Sequence, residues 1–381
     1  MFRWKSLRRS PTTSESSFSA IAFLSPSLAP NIVTLEVHWD NGNDPTYQLF
    51  LTDPHLCPNL ESITLNVSSR PNVYEPVSQE LCRAICSNAN WRHVMLSPPI
   101  DDVVLRHLGM SSTLRTVSVT LAPQTLRLDE ACFGSQDTPF GSVTDLALVL
   151  LDSLDFATSL LRDRDQVFRS FQLTLHTLTA ETEVSALLTA LSSPQRIHSL
   201  QAIAVGHPLA FGLGLSTSDS QPLSYETFRP LVSLAHLRVL VIDFNYPASL
   251  SDQEFANLVC NWPLLEVLQM TWTRGERSSA SMTLQGLLLL LASCPKLCEI
   301  GMTLDARDVP VGDTYAGVCN PFITSPMHFH NCPLRDPDML AEFLVKHLPS
   351  MPRVRWTHTL PNLEDQRLWV QVNQRMHPPV W

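Results

Sequence analysis

Apolar positions along this chain recur in one phrase, φ-x-x-φ-x-φ, where φ is an apolar residue. It reads "IVTLEV" from Ile32, "LESITL" from Leu60, "WRHVML" from Trp91 and "LRTVSV" from Leu114. It continues as "VTDLAL" from Val143, "FRSFQL" from Phe168, "LQAIAV" from Leu200, "LRVLVI" from Leu237, "LEVLQM" from Leu265 and "LCEIGM" from Leu297. Two weaker copies close the series, "TSPMHF" from Thr324 and "MPRVRW" from Met351. The twelve starts lie about 29 residues apart on average, a spacing typical of structural repeats. Alternation in the second half of each phrase has period two, which predicts a short strand with one buried face.

Between the phrases the period changes to that of a helix. "SDQEFANLVCNW" places Phe255, Leu258, Val259 and Trp262 on one stripe, and Ser251 with Glu254 has capping-box spacing. "TLQGLLLLLASC" repeats the stripe with Leu284, Leu287, Leu288 and Leu291, and "EVSALLTAL" with Val184, Leu187, Leu188 and Leu191. "DPDMLAEFLVKHL" opens with Asp336 as N-cap and Pro337 at the first helical position, and its stripe is Leu340, Phe343, Leu344 and Leu348.

No such strand–helix unit buries its apolar face alone, so neighbours must stack. The expected fold is an α/β solenoid with parallel strands on a concave face and helices on a convex one. It spans residues 21–377 in about twelve units, after a basic, Ser-rich segment over residues 1–20. Positions 3, 5 and 7 of each phrase are expected on the concave face. In most copies they are small or neutral: Thr116, Ser118, Thr120; Ala202, Ala204, Gly206; Val267, Gln269, Thr271.

Composition narrows the class. With 44% apolar residues over 381 positions the chain has enough to bury a sizeable core. A net charge of −10 argues against nucleic acid, whose binding is driven by neutralising phosphates. No apolar run approaches the length of a membrane span. Nine cysteines without paired-finger spacing suit a reducing compartment, and the expected setting is cytoplasmic or nuclear. The start "MFRWKSLRRSPTTSESSFSAIAFL" is basic and nearly free of acids; its composition resembles a transit peptide as well as a disordered basic tail.

The repeated phrase resembles leucine-rich repeats, which use L-x-x-L-x-L followed by Asn. "LRVLVIDFN" keeps the whole pattern through Asn245, while most copies lack the Asn, so the match is to degenerate, ribonuclease-inhibitor-like repeats. "NWPLLEVLQMTW", "TLQGLLLLLASCPKLCEIGMTLDARDVP" and the closing "MHFHNCPLRDPDMLAEFLVKHLPSMPRVRW" look like the repeat region of the large F-box protein group of mushroom-forming fungi. The resemblance implies a substrate-holding arm of a cullin-type ubiquitin ligase. Nothing in Met1–Asn31 resembles the F-box itself, so binding of the ligase adaptor is expected only if such a module lies upstream. A lost F-box and missing first exons both remain open, as does a free-standing repeat scaffold.

For chemistry the chain offers little. There is no G-x-S-x-G, Walker loop, H-E-x-x-H or C-x-x-C, and "GLGLSTSDS" at residues 212–220 reads as a loop tip. No enzyme activity and no cofactor are expected. In "MHFHNC" a continuous strand would put His328, His330 and Cys332 on one face, the spacing for a metal-dependent hydrolase as a minor alternative. As surface, the last two copies differ from the rest. They place His328 and His330, then Arg353 and Arg355, with His358 just beyond, on the concave face of an acidic protein. The partner expected there is a protein, through an acidic or phosphorylated segment.

Overall fold

Alternating burial decides the strands. The computed structural model describes residues 33–39, 59–67, 79–121, 139–151, 153–162, 166–176, 180–206, 222–244, 248–272, 282–310, 317–323, 325–329, 332–351, 354–356 and 363–377. The segment 1–20, Cys57, the 212–220 loop, Asn245, His330, Arg353 and His358 lie outside the described residues. The chain divides into two compact units, Met1–Thr177 and Leu178–Trp381.

In the first unit six parallel strands follow chain order: β1 Thr34–Trp39, β2 Ser62–Val67, β3 His93–Ile100, β4 Thr116–Leu121, β5 Asp145–Leu150 and β6 Ser170–Leu175. Their register aligns the phrases as the sequence does, with Thr34, Ser62, His93, Thr116, Asp145 and Ser170 in one row. Phrase positions 1, 4 and 6 form three buried rows, for example Leu114, Val117 and Val119 or Phe168, Phe171 and Leu173. Each such side chain contributes roughly 1.5–3 kcal/mol on burial. The one slip in register lies between Leu96 and Pro99, where the prolines of "SPPI" withhold the N–H groups that a regular ladder needs. Helices α1 Gln79–Ser87, α2 Asp102–Met110 and α3 Asp155–Arg162 cover the buried side of the sheet.

The second unit repeats the plan with β7 Ala202–Gly206, β8 Val239–Phe244, β9 Val267–Trp272, β10 Glu299–Met302, β11 Met327–Phe329 and β12 Val354–Trp356, again parallel and in chain order. Its helices are α4 Glu181–Leu191, the short α5 Tyr225–Phe228 continued by a 3-10 turn, α6 Asp252–Val259, α7 Leu284–Ser293, α8 Pro337–His347 and α9 Leu363–Met376. All four expected helical stripes are buried. Ser251 and Glu254 form the capping box, and Asp336 caps α8 ahead of Pro337. Two-residue strands at 223–224 and 248–249 and single bridges at Thr283–Asp305 and Ala306–Leu334 add a second, minor parallel ladder near the helix entrances.

Successive repeats are bolted together by acids in the first turn of one helix. Asp252 of α6 accepts from the backbone N–H of Thr283 at 2.7 Å and from its hydroxyl at 2.6 Å, and Thr283 is the N-cap of α7. Glu181 of α4 does the same for α5, accepting from the Ser224 N–H at 3.2 Å, its hydroxyl at 3.0 Å and the Thr227 hydroxyl at 2.6 Å. These bonds hold the Glu181 carboxyl below its usual range, the Thr227 hydroxyl most of all. Space at α7 is tight: a Cβ on Gly286 would meet Asp252 Oδ1 at 2.6 Å and Met282 Cγ at 2.8 Å.

The Asn ladder that most copies lack is replaced from another position. Asn88 and Asn320, each three residues before the first core residue of a strand, donate to the carbonyls of Leu60 and Leu297 at 2.9 and 3.1 Å. In "CPKL" that place belongs to Cys294, fully buried, whose thiol lies 3.6 and 3.5 Å from the Val259 and Trp262 carbonyls. Burial pushes this thiol up to about 12, so it stays protonated as a weak donor. At the last strand, Asn373 of α9 accepts from the Val354 N–H and donates to the Val354 carbonyl, both at 2.9 Å, as a neighbouring strand would. Trp369 anchors the same helix against Phe329 (ring centroids 5.1 Å apart) and donates to the Cys332 carbonyl at 3.1 Å.

Candidate protein-binding face

Phrase positions 3, 5 and 7 point away from the buried rows, so each unit carries a sheet face of its own. In the first unit hydroxyls make up half of the position-3 and position-5 rows: Thr34, Ser62, Thr64, Thr116, Ser118 and Ser170 are all half-buried, beside Glu36, Asp145 and Gln172. Met95 stands among them 43% exposed. His93 Nδ1 lies 3.1 Å from the Thr116 hydroxyl. Among the described residues no carboxylate bonds the other side of that imidazole, so the pair lacks the orienting third group of an activated nucleophile.

In the second unit the position-5 row runs Ala204, Val241, Gln269, Gly301, His328, Arg355. Two of the sequence-derived site residues are therefore neighbours. His328 is half-buried and Arg355 is exposed on the adjacent strand. Arg355 has no ion pair among the described residues. Arg238 instead pairs with Glu266 in this unit, and Arg92 and Arg169 in the other reach Glu61 and Asp145, each at 3.3 Å. Next to His328, Gly301 leaves a gap partly filled by Gln269, whose Nε2 donates to Glu299 Oε1 at 2.5 Å. His330, Arg353 and His358 fall outside the described residues, so the cluster is described at these two positions.

The metal alternative required His328, His330 and Cys332 on one face, and the structure corrects that geometry. Strand β11 ends at Phe329, and Cys332 turns into the core at 1% exposure. Its sulfur accepts from the Leu304 N–H at 3.2 Å and lies 3.6 Å from the Met302 carbonyl. The alternation stops because the strand stops, and the thiol then serves the neighbouring repeat's backbone.

The position-7 row holds what the sequence reading passed over. Gly206 pairs with Asp243 and Asp243 with Thr271, and Thr303 lies one residue past the Met270–Met302 pair. The strands approach closely here: a Cβ on Gly206 would meet the Asp243 carbonyl oxygen at 2.8 Å and its Cβ at 2.9 Å. Burial pushes the Asp243 carboxyl up to about 6, and the bond from the Thr271 hydroxyl only partly offsets this. Two buried atoms in this row have no hydrogen-bond partner among the described residues, Asp243 Oδ1 and Thr303 Oγ1. The signal was present in the sequence as a single acid among Gly206, Thr271 and Thr303 at the same phrase position.

Stacked parallel strands with helices along one side define an α/β leucine-rich-repeat-like solenoid. No family model matches the chain, and no curated protein matches it. A solved leucine-rich-repeat protein of Leptospira interrogans is similar over 86% of this chain and 72% of its own, at 11% identity and a TM-score of 0.36. No helix among the described residues is long and apolar enough to cross a membrane.

Proposed function

We propose that this chain is a non-enzymatic protein-recognition scaffold, comparable to the substrate-binding region of an F-box subunit of a cullin-type ubiquitin ligase. Its binding end is the last two repeats of the second unit, where His328 and Arg355, together with His330, Arg353 and His358, receive an acidic or phosphorylated segment of a protein partner. The observation that supports this is the register of His328 beside an exposed Arg355 that has no ion pair among the described residues. A guanidinium left unpaired is available for bidentate bonding to carboxylate or phosphate. A cytoplasmic or nuclear setting accords with the free thiols of Cys86, Cys260, Cys294, Cys298 and Cys319.

The test is fluorescence anisotropy of the full chain with three labelled twelve-residue peptides: Asp/Glu-rich, its phosphoserine counterpart and a neutral control. The two anionic peptides are expected to bind more weakly as salt rises, and the Arg353→Ala, Arg355→Ala double variant to lose about tenfold or more in affinity. Equal binding by the variant, or by the neutral peptide, refutes the assignment. The ligase link is a separate matter: sequencing the 5′ end of the native transcript either finds an F-box in frame before Met1 or leaves a free-standing scaffold.

A further inference from the structure

We infer that the first unit carries a recognition strip of its own, His93, Met95 and Arg115 on β3 and β4. It takes an extended protein segment with an acidic and an apolar residue two positions apart. This rests on the scaffold role proposed above and adds a second surface to it, through other residues. Strands β3 and β4, and the turns that lead into them, lie within the described stretch 81–121.

The strip has a cation to spare. Neither strand carries an acid. The acids at the entrances of the flanking strands are engaged. Glu61 pairs with Arg92 at 3.3 Å, and Asp145 pairs with Arg169 at 3.3 Å and accepts from the Thr144 hydroxyl at 2.8 Å. Arg92 and Arg115 stand side by side, the Arg115 N–H donating to the Arg92 carbonyl at 2.8 Å. Their guanidiniums turn to opposite sides. Arg92 reaches Glu61 ahead of β2, and Arg115 Nη1 donates to the Ser142 carbonyl ahead of β5 at 2.9 Å. A backbone carbonyl carries no net charge, so exposed Arg115 has no ion pair among the described residues. One such guanidinium matches the single charge of Asp or Glu better than the nearly double charge of a phosphate.

His93 adds a donor. It is exposed, and its Nδ1 lies 3.1 Å from the Thr116 hydroxyl. With that hydroxyl donating to Nδ1, the proton of the neutral ring sits on Nε2, ready for an incoming carboxylate. Met95 supplies the apolar half. It is 43% exposed between the hydroxyls of Thr64 and Ser118. Its flexible thioether suits an aliphatic or aromatic side chain.

The spacing comes from the strand. His93 and Met95 are two residues apart on one face, about 6.8 Å along β3. An extended segment laid along the strand repeats its own faces at the same distance. Its acid then meets Arg115 and His93 while its apolar residue meets Met95.

The experiment uses the full chain carrying Arg353→Ala and Arg355→Ala, which silences the end proposed above. Phage-displayed random twelve-residue peptides selected on it are expected to carry Asp or Glu two positions from an apolar residue. Adding Arg115→Ala should abolish the acidic preference, and adding Met95→Ala the apolar one. Arg83→Ala, an equal loss of charge on exposed α1, should change neither. All three side chains are exposed, so these variants keep the fold. A synthetic consensus peptide should bind Arg115→Ala about tenfold more weakly, the loss expected for a charged hydrogen bond. It should bind Met95→Ala about fivefold more weakly, through lost apolar burial. Moving its apolar residue by one position turns that side chain to the other face and should cost a similar factor. Acidic enrichment without fixed spacing, or an equal loss from Arg83→Ala, shows charge attraction alone and overturns the strip. A phosphoserine version that binds more tightly than the acidic one by about tenfold overturns the carboxylate assignment. No enrichment overturns the strip as well, while the anisotropy test of Arg353 and Arg355 still decides the proposed function.

Discussion

Replacing Asp243 with Asn should make the protein more stable at neutral pH, and the gain should vanish in acid. The carboxyl sits in a row where burial raises it from 3.8 to about 6. Between those values the native state holds a proton that the unfolded chain releases. Its contribution to stability is therefore complete below about pH 4, is lost as the pH rises through 6, and stays lost above. Each pH unit of displacement is worth about 1.4 kcal/mol, which sets a ceiling of ~3 kcal/mol. Partial exposure of the residue lowers the expectation to about 2 kcal/mol, since solvent screens what it reaches. Asn keeps the shape and still accepts from Thr271, but its amide N–H groups occupy the unpartnered position, at a cost of about 1 kcal/mol. The net expectation is a gain of about 1 kcal/mol at pH 7.5 and a loss of about 1 kcal/mol at pH 4. Urea unfolding at both pH values, with the slope m checked for constancy, measures it. A variant whose stability relative to wild type is the same at both pH values would refute the buried-carboxylate account.

Three further outcomes follow from the contacts between repeats. Gly286→Ala should destabilise by about 1–2 kcal/mol although Ala favours helix by ~1 kcal/mol, because its Cβ displaces the Asp252 carboxylate from Thr283; thermal melting of the variant and of Asp252→Ala should give similar losses, and a more stable Gly286→Ala would disprove the clash. Glu181→Gln should cost up to about 1 kcal/mol at pH 7 and progressively less in acid, since a lowered carboxyl stabilises above its unfolded value near 4.5 and that contribution disappears as pH falls through the folded value; a loss that does not change with pH would refute the clamp. Asn373→Ala should cost about 2–3 kcal/mol by leaving both Val354 backbone groups unpaired, and should raise self-association through the bared strand edge in light scattering; a monomeric variant of unchanged stability would show that Asn373 is dispensable.

The repeat itself was legible because periodicity is a local property. Each copy carries its own strand alternation and its own first core residue, so strand rows such as Leu237, Leu265 and Leu297 could be aligned by eye, and the register agrees. Caps were equally legible, since Ser251 with Glu254 and Asp336 with Pro337 lie within one turn of their helices. Strand ends were less so. "MHFHNC" alternates past the point where β11 stops, and nothing local announces that Cys332 turns inward to the preceding repeat's backbone.

The sequence by itself determined the α/β repeat plan, the faces of strands and helices, and the placing of His328 and Arg355 in equivalent positions of successive copies. Tertiary structure alone decided what crosses from one repeat to the next: the Asp252 and Glu181 clamps, the Asn88 and Asn320 replacements for a missing ladder, and the closing of the last strand by Asn373. It also decided that the Asp243 carboxyl is largely buried, with one oxygen unpartnered among the described residues. The physical reason is range. Periodicity and capping arise from neighbours within a few residues, whereas a hydrogen bond between repeats, and the burial that shifts a carboxyl, depend on groups about 20–45 residues away that only stacking brings into contact.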